Sequence, residues 1–409
     1  MEAPKDGAAP LHILIVGAGI GGLSAALGLR QQGHKVTMIE KSKFAAEIGA
    51  AIHSASNCSR VLRRLGVFPE EHGGTPLVGF EMRSPDGQIQ GLTDLGADGD
   101  KDSAQATLKD RVLSSDAPGI QVQLHLSCRI VALDTEKATL VLDDGRSFSG
   151  DMIIGADGVH SWTRNYINAA IKPFSFGYSC YRWLAPNEDL KNHEATLELS
   201  KVKGKMVEWN AGQRRVLYYA CADHTISNFG AFVPADKQEQ DRTSAVGWNN
   251  PGSKAHLLQL YHDFGDEVQQ ILQSVPEGDL KEWDLMDMAS LPTWHKGALV
   301  LIGDAAHPFL PFMGQGGAMA IEDGAALAAL FPHGTTRAQV SSRLELWEEC
   351  RRERVERIQS FTRWNGRSSD DPSLPRPSYE ESMKFVLFCI KHDAWEHAID
   401  TLKKHIELQ

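Results

Sequence analysis

Three glycines near the start of the chain have the spacing of a phosphate-binding turn. The sequence GAGIGG sets Gly17, Gly19 and Gly22 in a GxGxxG pattern, directly after an apolar strand and at the start of a helix. Gly17 would permit the tight turn, Gly19 would let the backbone approach a pyrophosphate, and Gly22 would let helix and strand pack closely. Glu40, at the end of the next strand, could accept a hydrogen bond from a ribose hydroxyl. The pattern predicts a dinucleotide site; the alternative is a glycine-rich turn with a purely structural role.

Two further stretches combine turn residues with polar side chains. Residues 301–324, LIGDAAHPFLPFMGQGGAMAIEDG, gather Asp304, prolines and several glycines between two apolar segments. Each glycine costs about 0.5–1 kcal/mol in a helix or strand relative to alanine, so this backbone is expected to approach a ligand closely. Residues 155–164, GADGVHSWTR, leave a strand through an Asp-Gly turn and then add a hydroxyl and a guanidinium. Taken alone, this second stretch could be a capped turn with a surface arginine.

The composition excludes several classes of protein. The chain has 409 residues, 42% of them hydrophobic, and a formal net charge of -11, which argues against nucleic acid as a partner. No segment supplies the roughly 18 consecutive apolar residues of a membrane span, and no secretory signal is evident. The six cysteines form no CxxC pair, so neither a disulfide framework nor a metal site is expected. A cytoplasmic protein is the simplest interpretation.

The elements that must position these motifs follow from residue patterning. Residues 11–40 predict a βαβ unit, and short strands alternate with turns from residue 120 onward. Residues 172–290 are richer in aromatic and β-forming residues, which indicates a second, largely antiparallel layer. Beyond residue 340 the pattern is helical, and these helices could either cover the first unit or form a dimer contact.

Taken together, the three motifs resemble the signatures of the single-component FAD-dependent aromatic hydroxylases, the class A flavoprotein monooxygenases that include salicylate hydroxylase. The resemblance runs from about residue 11 to residue 365 and includes DGVHSWTR as the family's DGxxSxxR motif. It implies an α/β fold: a Rossmann-like FAD-binding domain with an inserted, mainly antiparallel β-sheet substrate domain and C-terminal helices. The implied division is FAD-binding domain at 1–75, 101–171 and 291–340, substrate domain at 76–100 and 172–290, and a helical region at 341–409.

The resemblance also implies roles for particular residues. Asp304 would hydrogen-bond the ribityl chain of FAD, and Pro311 would shape the cavity above the flavin ring. The helix beginning near Gly316 and Gly317, after Gly314, would direct its positive end at the flavin N1 and C2 carbonyl region. Asp157 and Arg164 belong to a motif that the family associates with FAD and NAD(P)H. Gln105 stands where the family commonly has an arginine, and Arg111, further along that helix, could reach the flavin instead.

The implied reaction uses NADPH or NADH and O2 to form a flavin C4a-hydroperoxide, which inserts one oxygen atom into a phenolic or other electron-rich ring. Such an enzyme would suit catabolism and secondary metabolism equally. By analogy with hydroxylases that bind a phenolate through an arginine and a tyrosine, Arg182 and Tyr219 are the candidates that activate the substrate. Tyr219 could instead be a core aromatic and Arg182 a salt-bridge residue; Tyr218 should point to the opposite face of its strand. His224 is expected in a solvated loop, and His307 is expected to serve structure rather than acid-base catalysis.

Alternatives from other classes remain open at this point. They are an FAD oxidase, an epoxidase or Baeyer-Villiger monooxygenase acting on a non-phenolic substrate, and a non-catalytic flavin-binding scaffold. The expected partners are a small aromatic substrate and O2, with no nucleic acid, metal or membrane span. Neither the nucleotide donor nor the choice between monomer and homodimer follows from the residues.

Overall fold

The described part of the fold is built on two large β-sheets, of six and eight strands, with two smaller sheets, of three and two strands, and the helices that join them. The computed structural model describes residues 9–43, 55–94, 100–101, 105–235, 250–276, 278–366 and 377–407. The described strands are β1 His12–Val16, β2 Lys35–Ile39, β3 Pro76–Leu77, β4 Gly79–Arg83, β5 Ile89–Asp94, β6 Asp100–Lys101, β7 Gln123–His125, β8 Ile130–Asp134, β9 Thr139–Leu142, β10 Ser147–Ser149, β11 Met152–Gly155, β12 Phe174–Pro186, β13 Lys205–Ala211, β14 Arg214–Cys221, β15 Ile226–Pro234, β16 Asn250–Pro251, β17 Lys281–Asp287, β18 His295–Lys296 and β19 Leu299–Leu301. The described helices are α1 Ile20–Gln31, α2 Ser56–Arg64, α3 Gln105–Leu113, α4 Glu194–Leu197, α5 Lys254–Leu260, α6 Asp266–Gln273, α7 Gly316–Leu330, α8 Val340–Gly366, α9 Tyr379–Lys391 and α10 Ala394–Glu407.

The first sheet carries the glycine turn at the end of its central strand. Its six strands have the order β18-β19-β11-β1-β2-β7, and β1 pairs in parallel with both β2 and β11. Strands β1 and β11 are short, almost wholly apolar and buried, as expected for parallel strands covered on both faces. Helix α1 follows β1 directly and returns the chain to β2, which gives the predicted βαβ unit.

Helices α1 and α7 pack together at unusually short range because glycines face the contact. A Cβ added at Gly324 would lie 2.6 Å from the backbone nitrogen of Ala25, and one added at Gly28 would lie 2.7 Å from the Cβ of Ala328. Neither position has a positive φ, so packing rather than backbone conformation demands glycine. Residues between Gly316 and Leu330 are therefore fixed against the helix that starts at the glycine turn.

The second sheet is the larger one and presents two different faces. Its eight strands have the order β16-β17-β12-β15-β14-β13-β4-β5 and are antiparallel except for the β13–β4 pair. They lie between residues 79 and 94 and between residues 174 and 287. One face buries a core of aromatic and aliphatic side chains that continues onto α5 and α6, including Trp183, Val216, Tyr218, Phe229, Leu257 and Ile271. The other face is turned toward the loop that precedes α7.

The C-terminal helices pack on the half of the molecule that contains the six-stranded sheet. Helix α10 contacts α7, α8 and α2, and α9 contacts α2. This contact agrees with the interpretation in which the C-terminal region covers the first domain. Within the described ranges, no helix is both long and apolar enough to cross a membrane. All six cysteines are buried, and none of them forms a disulfide.

Four charged side chains between α7 and α8 are buried and mutually neutralising. Glu322 and Asp323 are fully buried on α7 and face Arg351 and Arg354 of α8. Arg351 reaches both carboxylates at 2.7 and 2.9 Å, while Arg354 donates to both oxygens of Glu322. Burial alone would raise the pKa of Glu322, but the two guanidiniums outweigh it and lower that pKa to about 2. The carboxylates therefore remain ionised and hold the two helices together.

We expect Gly324→Ala to destabilise the fold. The new methyl group would meet the backbone of α1, which cannot move as a side chain can, so overpacking should reduce the free energy of unfolding by about 1–3 kcal/mol. Thermal unfolding of the purified variant measures the change. Gly91→Ala is the matched control, because its Cβ would meet only Met82 at 3.8 Å. Equal melting temperatures for Gly324→Ala and wild type would contradict the close packing of α1 and α7.

Removal of Arg351 should reduce the free energy of unfolding far more than removal of a surface cation. Arg351→Met leaves Glu322 and Asp323 buried with one guanidinium fewer, and breaking a buried pair costs about 3–5 kcal/mol. Lys384→Met, which breaks an exposed pair with Glu380 on α9, should cost less than about 1 kcal/mol. Denaturant unfolding of both variants checks the difference, and a similar small loss in each would show that the buried network contributes little.

Candidate functional site

The glycine turn has the geometry that a pyrophosphate requires. Gly17 has φ +100°, and a Cβ there would lie 2.4 Å from the carbonyl oxygen of Ala156. A Cβ at Gly22 would lie 2.2 Å from the carbonyl oxygen of Gly17. A Cβ at Gly19, by contrast, would meet nothing within 4 Å, and α1 begins at the next residue without a side-chain cap. Two of the glycines are thus demanded by packing, whereas Gly19 leaves open space in front of a helix N-terminus.

Glu40 lies beside the turn, at the end of β2. Its Oε2 accepts a hydrogen bond from the backbone nitrogen of Ala18 at 2.8 Å, and its Oε1 accepts one from Ser42 at 2.8 Å. A carboxylate has about four acceptor positions, so these two bonds orient Glu40 and leave capacity for a ribose hydroxyl. The acidic side chain is therefore held next to the open space at Gly19.

The DGxxSxxR motif forms a compact turn around Asp157. Its Oδ1 accepts hydrogen bonds from the hydroxyls of Ser161 and Thr163, both at 2.6 Å. Its Oδ2 accepts from the backbone nitrogens of Trp162 and Thr163 at 2.8 and 3.0 Å. Four bonds to one carboxylate make Asp157 the organiser of this turn.

Arg164 connects that turn to the segment containing Asp304. It is 2% exposed, and its guanidinium donates to the backbone carbonyls of Val159, Asp304 and Ala305 at 2.7–2.8 Å. Burial lowers its pKa, while Asp157 and Asp304 oppose that shift. The sequence interpretation offered Arg164 as a cation for a phosphorylated donor. In the structure each of its three nitrogens donates to a backbone carbonyl, and these bonds position the Asp304 segment.

Asp304 has the features of a ligand-binding carboxylate. The side chain is half-buried, and no residue in the described part of the chain donates a hydrogen bond to it. Burial raises its pKa, and the nearby His307 and Arg164 counteract the rise. Gly303 before it has φ +57°, which turns the chain sharply out of β19. A half-buried acceptor without a partner is costly unless a ligand hydroxyl completes it, as the ribityl chain of FAD would.

The start of α7 provides a second helix end without a side-chain cap. A 3-10 turn, Pro311–Met313, ends at Gly314 with φ +61°, and α7 then starts at Gly316, with Gly317 in its first turn. Gln315 at the N-cap makes no side-chain capping bond, so the first amides of α7 remain available to an electron-rich group. Pro311 is exposed at the surface of this loop. The glycine turn, Asp304 and this helix end together fit the pyrophosphate, ribityl chain and flavin ring of FAD.

His307 is directed away from this space. It is 2% exposed, and its Nε2 lies 2.7 Å from Oδ2 of Asp323, which also accepts from the backbone nitrogen of Gly303. The ring packs against Trp294 and Phe309. This placement agrees with a structural role for His307.

Arg182 and Tyr219 lie on the same face of the larger sheet. In the β12–β15–β14 register, Tyr219 is directly opposite Asn228, and Arg182 is opposite Gly230, two residues further along β15. Directly paired residues project to one side, so all four positions share the face that is turned toward the α7 loop. The guanidinium of Arg182 donates from Nη2 to Oδ1 of Asn228 at 3.1 Å and lies 4.9 Å from the ring centre of Trp283. Gly230 contributes no side chain and leaves room beside Arg182.

An aromatic cluster joins this face to the loop that carries Pro311. Phe312 lies 6.0 Å from Phe232, and the guanidinium of Arg215 lies 5.5 Å from the Phe312 ring centre. Phe176 and Tyr178 of β12 complete the contact at 6.2 and 6.3 Å. The face with Arg182 and Tyr219 is therefore held against the segment that should cover the flavin.

Helix α8 fixes the same loop from a third direction. Gln359 donates to the carbonyl oxygen of Pro308 at 2.9 Å, and Asn365 donates to that of Phe312 at 3.0 Å. Arg363 forms a two-bond ion pair with Asp287 of β17, at 2.7 Å for each bond. The end of α8 thus connects the α7 loop and the larger sheet.

Other candidates lie elsewhere. Tyr218 points to the opposite face, where burial raises its pKa to about 12 and its hydroxyl donates to Asn187 at 3.0 Å. His224 lies in the β14–β15 turn with φ +62°. Arg111 lies against Gly66, near the C-terminal end of α1 and on the order of 15 Å along that helix from the glycine turn. Because Arg111 lies away from the glycine turn, we do not include it in the candidate site. The side chain of Gln105 is outside the described residues.

Sequence reasoning missed Asn228, Arg215, Phe312 and Asn365. The alternation of β15 places Asn228 on the face that Tyr219 occupies, but recognising this requires the cross-strand register, which no local pattern gives. Asn365 and Phe312 meet only because α8 returns across the molecule.

Comparison with known proteins agrees with this geometry. Residues 11–362 match the family described as FAD binding domain. Hispidin-3-hydroxylase of Neonothopanus nambi is 30% identical over 85% of this chain and 86% of its own length. The FAD-dependent monooxygenase cfoG of Aspergillus candidus is 31% identical over 97% of this chain and 96% of its own length. A salicylate hydroxylase in a substrate complex has the same fold, with a TM-score of 0.79 at 24% identity over 95% of this chain and 97% of the other. The chain therefore belongs to the FAD-binding family, as its three motifs predicted, and it is an FAD-dependent monooxygenase.

Proposed function

We propose that this monooxygenase inserts one oxygen atom from O2 into a phenolic or similarly electron-rich ring, with NADH or NADPH as the electron donor. The observation that carries the proposal is the placement of Arg182 and Tyr219 on one sheet face that is packed against the Pro311 loop. A cation and a hydroxyl on such a face could bind the oxygen of a phenol and favour its deprotonated form, which makes the ring carbons more nucleophilic. The names of two relatives, hispidin-3-hydroxylase and 6-hydroxynicotinate 3-monooxygenase, support oxygenation of rings.

The cofactor and the protein divide the work. FAD, when bound, supplies the redox chemistry that links oxidation of NAD(P)H to activation of O2. The chain would hold FAD through the glycine turn, Glu40 and Asp304, and the first amides of α7 would face the flavin ring. These amides and the helix dipole stabilise negative charge that accumulates on the ring.

On the substrate side, Arg182 would bind the ring oxygen as its phenolate. A guanidinium remains protonated and donates several hydrogen bonds, so it lowers the pKa of a phenol bound beside it. Tyr219 would donate to the same oxygen or align the ring. The aromatic cluster around Phe312 excludes water from the junction, which strengthens both interactions.

We also propose a cytoplasmic location and a monomeric or homodimeric state. Six free, buried cysteines support a reducing compartment. The described helices α9 and α10 pack on the protomer's own α2 and α7, which supports a protomer that is complete by itself. Size-exclusion chromatography with light scattering would establish the number of copies.

An anaerobic reduction experiment tests the proposed function. NADH and NADPH are titrated into the FAD-containing protein, with and without a panel of phenols and indoles, while the flavin absorption band is followed. Faster bleaching with one donor and one class of ring, followed by oxygenated product when O2 is admitted, would support the proposal. NAD(P)H consumption that yields only hydrogen peroxide with every ring would indicate an oxidase instead.

Gly19→Val should remove FAD while leaving the fold intact. Gly19 has φ -73°, which valine adopts, and its Cβ points into open space, so the melting temperature of the apoprotein should hardly change. The valine side chain would occupy the space in front of α1 and should weaken FAD binding by about tenfold or more, roughly 1.4 kcal/mol. Fluorescence titration of apoprotein with FAD measures the effect. Undiminished affinity would place the pyrophosphate elsewhere.

Substitutions on the two faces of the larger sheet should have different consequences. Tyr219→Phe should reduce turnover of a phenolic substrate, and Arg182→Met should do so by about 10- to 100-fold, because a hydrogen bond to a charged group is lost. Tyr218→Phe, the control, removes the bond to Asn187 on the other face and should lower thermal stability without changing coupled turnover. Steady-state oxygen consumption and product analysis separate the cases. Full activity of Arg182→Met would exclude Arg182 as the phenolate-binding cation.

A further inference from the structure

Asn228 is a buried residue, and within the described part of the chain only the oxygen of its side-chain amide has a hydrogen-bond partner. Asn228 lies in the middle of β15, the strand between β12 and β14, and is 2% exposed. Its Oδ1 accepts the bond from Arg182, which fixes the orientation of the amide because a guanidinium can only donate. Its NH2 group therefore remains as a donor, and within the described ranges no side chain or carbonyl accepts from it. The nitrogen is not one of the fully enclosed side-chain atoms that lack a partner, so it is open on this face and can donate to a ligand.

The surroundings of Asn228 indicate what kind of ligand would do so. Tyr219 is its direct cross-strand neighbour, and Arg182 approaches it diagonally from β12. On the same face, Gly230 follows two residues later, about 7 Å along the strand, and provides no side chain. A Cβ there would meet only Phe232 at 3.4 Å and Cys180 at 3.9 Å, so neighbouring packing does not require glycine. The face thus combines three polar groups with one position that has no side chain.

The guanidinium of Arg182 is held by two neighbours rather than one. Asn228 accepts its Nη2 hydrogen bond, and the indole of Trp283 lies 4.9 Å from its central carbon. Stacking on an indole fixes the plane of a guanidinium, and the amide bond fixes its rotation within that plane. A cation fixed in this way loses little conformational entropy when an anionic oxygen binds.

We propose that Asn228 is a positioning and binding residue for the oxygen of the aromatic substrate: it orients Arg182 through Oδ1 and donates from Nδ2 to the substrate. The inference rests on the proposed function, because it concerns the same ring oxygen. It specifies the substrate class as a ring whose reactive form carries an oxygen anion next to at least one further acceptor position.

The test uses 4-nitrophenol as the probe, because its phenolate absorbs visible light and its neutral form does not. The FAD-containing protein is titrated with the probe at a pH where most of the free probe is protonated. The wild type should produce a phenolate band on binding. Asn228→Ala should weaken binding by about tenfold and reduce the phenolate fraction, as expected when a hydrogen bond to a charged group is lost. Asn228→Asp, which has nearly the same shape, should abolish the band, because its carboxylate neutralises Arg182 and repels the phenolate.

Two further variants separate positioning from a merely structural effect. In an Arg182→Met background, Asn228→Ala should weaken probe binding by only about two- to threefold, because the direct Nδ2 bond is still lost but the effect through Arg182 is absent. Ser227→Ala, at the adjacent and fully buried position on the opposite face, removes a bond to Asn187 and should leave the band unchanged.

An unchanged phenolate band in both Asn228 variants, a full effect of Asn228→Ala without Arg182, or no band in the wild type would each overturn the assignment. Failure of the proposed function has a different signature: the wild type would bind the phenolate as described, yet no ring would be oxygenated in the presence of NAD(P)H and O2.

Discussion

The buried charges between α7 and α8 determine the position of the segment that carries Asp304 and leads into α7. Asp323 accepts hydrogen bonds from the backbone of Gly303, from His307 and from Arg351, so one carboxylate ties the start of the Asp304 segment to both helices. Glu322 extends the same network to Arg354 and to Asn57 of α2. Because isolated charges are not tolerated in a protein interior, each partner requires the others. The position of Asp304 and of the first turn of α7 follows from this arrangement.

A second constraint sets the relation between the flavin-binding half and the substrate sheet. The loop from Pro308 to Gly314 is bonded to α8 through Gln359 and Asn365, and it packs against Phe232 and Arg215 of the sheet. A Cβ on Gly366, at the end of α8, would lie 2.3 Å from the Phe312 ring, so the backbone of α8 and this ring pack too closely to admit a side chain at position 366. Oxygen transfer depends on sub-ångström placement of the reacting atoms, and three elements converge on this loop to provide it.

The sequence was most informative where backbone geometry and chemistry coincide. The glycines at positions 17 and 22 could be predicted because a tight turn and a closely packed helix each exclude a side chain, and the structure shows both conditions. Gly19 leaves open space before α1, and its approach to a pyrophosphate stays a prediction. The family, the cofactor and the α/β fold followed from these motifs. Arg164 was harder, since a guanidinium in a motif does not reveal whether carbonyls or phosphates will occupy it; here carbonyls of its own chain do. The structure places Arg111 beside Gly66, away from the glycine turn, and the direction of α3 relative to α1 is a tertiary property that no local pattern gives. Asn228 was invisible because its neighbours come from β12 and β14, about 45 and 10 residues away.

The structure of the FAD-containing protein with a bound phenol tests the central claim most directly. The account predicts the pyrophosphate in front of Gly19, the ribityl chain on Asp304 and the flavin ring at the start of α7, with the phenol oxygen bonded to Arg182 on the sheet face that also carries Tyr219 and Asn228. A phenol bound elsewhere, or a flavin ring directed away from that face, would contradict it.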